Sequence, residues 1–145
     1  MPGRVVAVCV SEKKQTQKEA VPEVDLHKEW GIRGDAHAGK WHRQVSLLGL
    51  ESIDRMKAQG LDVAPGAFAE NITTEGIDLP SLPVGTRMRI GEALVEVTQI
   101  GKVCHTKCAV YHMVGDCVMP REGIFVRVLE GGKVKPGDGV TALTS

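Results

Sequence analysis

The sequence predicts a mainly β domain, and three observations carry that prediction. Its apolar runs are short and rich in β-branched residues, Gly- and Pro-bearing turns separate them, and helical spacing is confined to one brief stretch. Short strands punctuated in this way favour a barrel or sandwich over an α/β sheet.

Arg4 to Val10 is a β-branched run and predicts the first strand. The polar stretch Ser11 to Ala20 lacks an apolar period and reads as an exposed loop. Val21 to Trp30 alternates loosely as far as Gly31, which predicts a second strand leading into the turn-rich residues Gly31 to Gly39. Val45 to Leu48 predicts a buried strand. Leu50, Ile53, Met56 and Lys57 then fall at helical spacing, with Gly60 as a stop. Phe68 to Thr73 is a weak strand, and Leu79 to Gly85, broken by Pro80 and Pro83, is expected to be irregular. The sharpest local signal is Arg87 to Ile90, then Gly91-Glu92, then Ala93 to Ile100: two strands on a two-residue turn with glycine first, as a type II′ hairpin requires. Ile124 to Leu129 and Val140 to Leu143 predict two more strands, each next to a glycine-rich turn.

A chain of 145 residues is long enough to enclose a hydrophobic core, and one domain spanning 1–145 is expected. Lys plus Arg number 18 and Asp plus Glu number 18, so no charge excess points to nucleic acid or to an anionic membrane surface. No run of about 20 apolar residues occurs, and Met1 to Val10 is too short for a secretory signal, so a cytoplasmic location is expected. In that compartment Cys9, Cys104, Cys108 and Cys117 read as thiols, metal ligands or a nucleophile rather than a disulfide framework.

Cys104, His105 and Cys108 follow the second hairpin strand, where a loop on a rigid sheet can present side chains to a cleft. Lys102, His105 and Lys107 put positive charge beside Cys104, which favours its thiolate. The plainer alternative is a buried apolar thiol, which Cys9 suits best because its strand is apolar. Cys108 and Cys117 stand between the two readings. A zinc site from Cys104, His105, Cys108 and Cys117 is disfavoured, because no second Cys or His pair completes a convincing tetrahedral set.

The other chemically rich stretch runs from Gly34 to Arg43. Its glycines let backbone approach a ligand, and His37, Lys40, His42 and Arg43 can grip an anion; a solvated loop is the equal alternative. It is not a Walker loop, since Gly-x4-Gly-Lys-Ser/Thr is absent. Arg121 can pair with a ligand phosphate or with a nearby carboxylate. Asn71 can bond a polar ring edge or cap a turn.

Taken in order, these segments resemble a known family. Gly34-Asp35-Ala36-His37-Ala38-Gly39, His42-Arg43-Gln44-Val45-Ser46-Leu47-Leu48, Pro65-Gly66-Ala67-Phe68-Ala69-Glu70-Asn71-Ile72-Thr73, Leu82-Pro83-Val84-Gly85-Thr86 and Arg121-Glu122-Gly123-Ile124-Phe125-Val126-Arg127-Val128-Leu129 are similar to motifs of the MOSC domain, named for the carboxy-terminal domain of molybdenum cofactor sulfurases. The resemblance implies a β-barrel with a few short helices and a pocket for the molybdenum cofactor, molybdopterin. It implies that Cys104 carries sulfur or ligates molybdenum; from the residues themselves, Cys108 and His105 are expected to assist it. It also implies that Asp35, His37, His42, Arg43, Asn71 and Arg121 hold the cofactor. The chain resembles the short stand-alone members, without a pyridoxal-phosphate desulfurase domain, so a cysteine desulfurase is expected as sulfur donor and a molybdoenzyme as acceptor. Three functions follow from the resemblance: a persulfide carrier acting as a sulfurtransferase, a non-catalytic cofactor carrier, or a small molybdenum-dependent reductase of N-hydroxylated compounds. Cys108 and Cys117 exceed the single thiol the family leads one to expect, and either thiol can resolve a persulfide on Cys104 by exchange.

Overall fold

Strands with one apolar face must pack on a partner layer or close on themselves, and here they close. The computed structural model describes residues 3–11, 19–33, 35, 38–39, 44–58, 60, 70–100 and 123–143. Its elements run β1 (Gly3–Val10), β2 (Glu19–Val21), β3 (Val24–His27), β4 (Gly31–Ile32), β5 (Val45–Gly49), α1 (Leu50–Ala58), β6 (Ile72–Glu75), a 3-10 turn (Leu79–Ser81), β7 (Arg87–Ile90), β8 (Ala93–Ile100), β9 (Ile124–Glu130), β10 (Gly132–Val134) and β11 (Gly139–Leu143). Seven strands form a closed barrel in the order β11-β7-β8-β9-β5-β6-β1, with β1 bonded back to β11. β2 hangs on the far end of β1, and β10, β3 and β4 make a second, three-stranded sheet.

The hairpin shows how sequence becomes wall. Arg87 and Arg89 face solvent while Met88 and Ile90 are buried, so one edge of the period-2 pattern enters the core. Gly91 holds φ 55, the left-handed value that the first residue of this turn needs. A Cβ there would also lie 2.5 Å from Asp138 Oδ2, so two constraints select glycine. On the partner strands Ala93, Val95, Val97, Ile124, Val126 and Val128 continue the inner face. Each large aliphatic side chain buried in this way contributes roughly 1.5–3 kcal/mol.

Two irregularities decide which residues reach the core. In β1 the register with β6 shifts between Val5 and Ala7, and this bulge lets both Val5 and Val8 face inward although strict alternation would separate them. In β8 the register with β9 shifts between Val97 and Gln99, where Thr98 donates its hydroxyl to the Phe125 carbonyl at 3.1 Å. This second bulge bends the chain just before the cysteine-bearing stretch begins.

β5 and β6 run parallel, which requires a crossover, and α1 lies within it. Ile53 and Met56 are its buried residues at helical spacing, Glu51 sits in its first turn and Arg55 and Lys57 in its last, a charge order that opposes the helix dipole. Gly60, at φ 97, lies just beyond its end, as the sequence predicts.

Three expectations change. Val21 to Trp30 is not one strand: β2 ends at Val21, β3 covers Val24–His27, and a turn over 28–30 leads into β4. Glu29 makes that turn at φ 56, held by its N–H on the Val128 carbonyl at 2.9 Å. No residue type announces such a turn, because glutamate rarely adopts positive φ. Of the strand expected at 68–73, Phe68 and Ala69 lie outside the described residues, Glu70 and Asn71 are not in a strand, and the strand runs Ile72–Glu75, set by pairing with Leu47–Gly49 and β1. Leu79–Ser81 forms one 3-10 turn within the stretch expected to be irregular, and proline is tolerated because it stands in the first turn.

Candidate functional site

The stretches that carry the sequence-predicted chemistry are flanked by described residues, and the fold ties these flanks together. Ser11 precedes 12–18, Gln44 follows 40–43, Asn71 follows 61–69, and β8 and β9 flank 101–122. Ser46 pairs with Phe125 in the ladder between β5 and β9, which has three pairs, from Val45↔Val126 to Leu47↔Ile124. The histidine-bearing stretch leads into this ladder at the Val45↔Val126 pair and the cysteine-bearing stretch at the Leu47↔Ile124 pair, its opposite end, about 7 Å further along the strands.

Asn71 is the hub of this neighbourhood. Its Oδ1 accepts the Ser46 N–H at 3.0 Å and the Ser46 hydroxyl at 3.1 Å, and its Nδ2 donates to the Cys9 carbonyl at 3.1 Å. Its own N–H donates to the Ser46 hydroxyl oxygen at 3.0 Å, and its carbonyl accepts the Cys9 N–H at 2.6 Å. Asn71 and Ser46 are buried, so these bonds satisfy groups that water cannot reach. The clasp joins β1, β5 and β6 at one point.

Asp35, 7% exposed, accepts the Ser11 N–H on Oδ1 at 3.0 Å. Glu70 is fully buried and accepts the Thr73 hydroxyl at 2.8 Å. Gln44 is buried too, with Oε1 accepting the Val128 N–H at 2.9 Å. Gly31, at φ 114, lies so close to Gln44 that a Cβ would meet its carbonyl at 2.6 Å. Cys9 is buried within its strand, the apolar thiol its sequence context suggests.

Of the residues the sequence nominates, Asp35 and Asn71 are described, and both are engaged by protein partners. Cys104, His105, Cys108, Cys117, His37, Lys40, His42, Arg43 and Arg121 lie outside the described residues. Among the described residues no group of three or more His, Cys, Asp or Glu could hold a metal ion. Sequence reasoning did not nominate Ser46 or Ser11. Ser46 had a signal, a lone hydroxyl inside an apolar strand; Ser11 had none, because it contributes a backbone N–H. A cleft of about 370 Å³ lined by Gly49, Glu51, Ser52, Arg55 and Asp78 lies at the other ends of β5 and β6, and none of the nominated residues lines it.

The sequence model of the MOSC domain matches residues 34–141, the interval that contains Ser46 and Asn71 of this clasp and both chemically rich stretches. The chain belongs to the MOSC domain family. That family is associated with functions related to the molybdenum cofactor. YflK, an uncharacterized protein of Bacillus subtilis, is 34% identical over 83 residues, which span 54% of this chain and 37% of that protein. The crystal structure of YuaD from Bacillus subtilis superposes with a TM-score of 0.76 at 19% identity, covering 97% of this chain and 94% of that one. The crystal structure of YiiM from Geobacillus stearothermophilus gives a TM-score of 0.74 at 22% identity, covering 99% of this chain and 76% of that one. These two likenesses show that the MOSC barrel is the fold. Among the described residues no helix is long and apolar enough to cross a membrane.

Proposed function

We propose that this MOSC protein binds the molybdenum cofactor and carries sulfur for it as a persulfide on Cys104. The observation that carries the reading is the family match over 34–141, since that interval holds both the histidine-bearing stretch and Cys104. The cofactor brings its own dithiolene sulfurs and a phosphate, so a protein has to add a soft metal ligand and cationic hydrogen-bond donors. The sequence supplies Cys104 for the first and His37, His42, Arg43 and Arg121 for the second.

When bound, the cofactor supplies a molybdenum centre that accepts a terminal sulfur ligand. Loading of Cys104 is thiol chemistry. Its thiolate attacks the terminal sulfur of a persulfide on a cysteine desulfurase, a new S–S bond forms to Cys104, the donor's S–S bond breaks, and the donor cysteine leaves as thiolate. Lys102, His105 and Lys107 favour the attacking thiolate, and a thiolate of Cys108 or Cys117 can attack the Cys104 sulfur of the persulfide, forming a protein disulfide as the persulfide S–S bond breaks and hydrosulfide leaves. A molybdoenzyme is the acceptor in this reading.

The test is mass spectrometry after incubation with a cysteine desulfurase and cysteine. Cys104 gains the mass of one sulfur atom, and Cys104→Ala gains none. Equal loading of parent and Cys104→Ala would end the persulfide role. Protein that retains molybdopterin but never loads sulfur is a carrier of the cofactor alone, and turnover of an amidoxime by the loaded protein makes it a reductase.

A further inference from the structure

Residues that flank a binding stretch have to be held in place, and four hydrogen bonds hold Trp30, Ile32, Asp35, Ala38 and Gly39. Asp35 N–H donates to the Ile32 carbonyl at 3.1 Å, Ala38 N–H to the Asp35 carbonyl at 3.1 Å, and Gly39 N–H to the Trp30 carbonyl at 2.8 Å. These three tie the described residues to one another. The fourth crosses to another element: Asp35 Oδ1 accepts the Ser11 N–H at the end of β1, 3.0 Å away. That end is itself fixed, because Cys9, two residues earlier, is bonded to Asn71 through both its N–H and its carbonyl.

We infer that Asp35 is a positioning residue: it ties the backbone of Ile32, Asp35, Ala38 and Gly39 to the end of β1 and so sets molybdenum-cofactor binding without touching the cofactor. The inference rests on the cofactor reading above. Two physical points carry it. A carboxylate repels a phosphate-bearing ligand, so its use beside cationic side chains is geometric rather than attractive. A carboxylate that is 7% exposed and already accepts a backbone N–H spends a charge-assisted bond on fixing that geometry. Binding groups need such support from rigid elements to hold their positions.

A double-mutant cycle separates docking from contact. Asp35→Ala removes the acceptor, and Ser11→Pro removes the donor while leaving the Asp35 charge intact. Proline is compatible here because Val10 is in a strand, the conformation a residue before proline prefers. Molybdopterin affinity is measured by pterin fluorescence on folded protein, with melting curves confirming the fold of each variant. Each single variant weakens binding about tenfold, the scale of one charge-assisted bond, and the double variant is no weaker than the worse single. Hydrogen exchange at the Ala38 and Gly39 amides speeds up in both single variants without any cofactor present.

Parent-like affinity in Asp35→Ala overturns the inference. So does parent-like affinity in Ser11→Pro beside a weakened Asp35→Ala, since Asp35 would then act through a group other than the Ser11 N–H. Additive losses overturn it as well. If the parent does not bind molybdopterin while exchange at Ala38 and Gly39 still accelerates in the variants, the docking role stands and the cofactor reading falls. Unchanged exchange in both variants refutes the docking itself.

Discussion

Replacing Asn71 with alanine removes three side-chain hydrogen bonds at once from a place that water does not reach. The Ser46 N–H and the Cys9 carbonyl lose their side-chain partner, and the Ser46 hydroxyl loses one of its own. A buried polar group that loses its partner costs about 1–3 kcal/mol, so the two backbone groups together cost up to about 2–6 kcal/mol. Against a total stability of about 5–15 kcal/mol this is a large fraction. It corresponds to a fall in melting temperature of roughly 5–20 °C for a domain of this size. Circular dichroism melts and urea titrations of parent and variant measure it. Asn71→Asp sharpens the test, because it keeps an acceptor for Ser46 but turns a carboxylate oxygen toward the Cys9 carbonyl. Burial raises the folded pKa of that carboxyl above its unfolded value near 3.9. The variant is therefore relatively most stable in acid, where the carboxyl can donate, and loses that stability as the pH rises through the folded pKa. An Asn71→Ala protein that melts within about 2 °C of the parent would refute the clasp as a stability element.

Thr74, on β6, is buried with a hydroxyl that has no hydrogen-bond partner among the described residues. Thr74→Val should raise stability by about 1 kcal/mol in urea titration, and a loss would show that the hydroxyl is satisfied. Gly91→Ala should cost about 1–3 kcal/mol by the same titration, from positive φ and from the approach to Asp138; a neutral result would contradict that turn geometry. Arg127 sits between Glu96 at 3.0 Å and Glu29 at 3.5 Å with its side chain 40% exposed. Arg127→Ala should therefore move the urea midpoint by no more than about 0.5–1 kcal/mol, and a larger change would mean the network is better shielded than its exposure suggests.

The features legible in the sequence were those written locally. Gly91-Glu92 between two alternating runs states a hairpin through turn chemistry, and the Leu50, Ile53, Met56 spacing states a helix through its period. The turn at Glu29 was illegible, since the φ 56 it adopts is imposed by the contact with Val128 on a distant strand. The β1 bulge was hidden as well, because Val5 and Val8 look like any β-branched pair until β6 sets the register. At the candidate site the residue types of Asp35 and Asn71 marked them as unusual. Their partners Ser11 and Ser46 are far away along the chain and are supplied by the topology, so the direction in which each polar group is used could not be read from either motif.

The ring is completed where Gly3 meets Val140 and Arg4 meets Gly139, two pairs that join opposite ends of the described chain. During synthesis that seam cannot form until nearly all the strands have left the ribosome. Until then the nascent sheet keeps an open edge, and the Val5-Val6-Ala7-Val8 run of β1 is the kind of segment that recruits neighbouring chains. Closure of a contact so distant along the chain is slow, so the first strand waits longest for its last neighbour and folding rate, not final stability, sets how long that edge stays open.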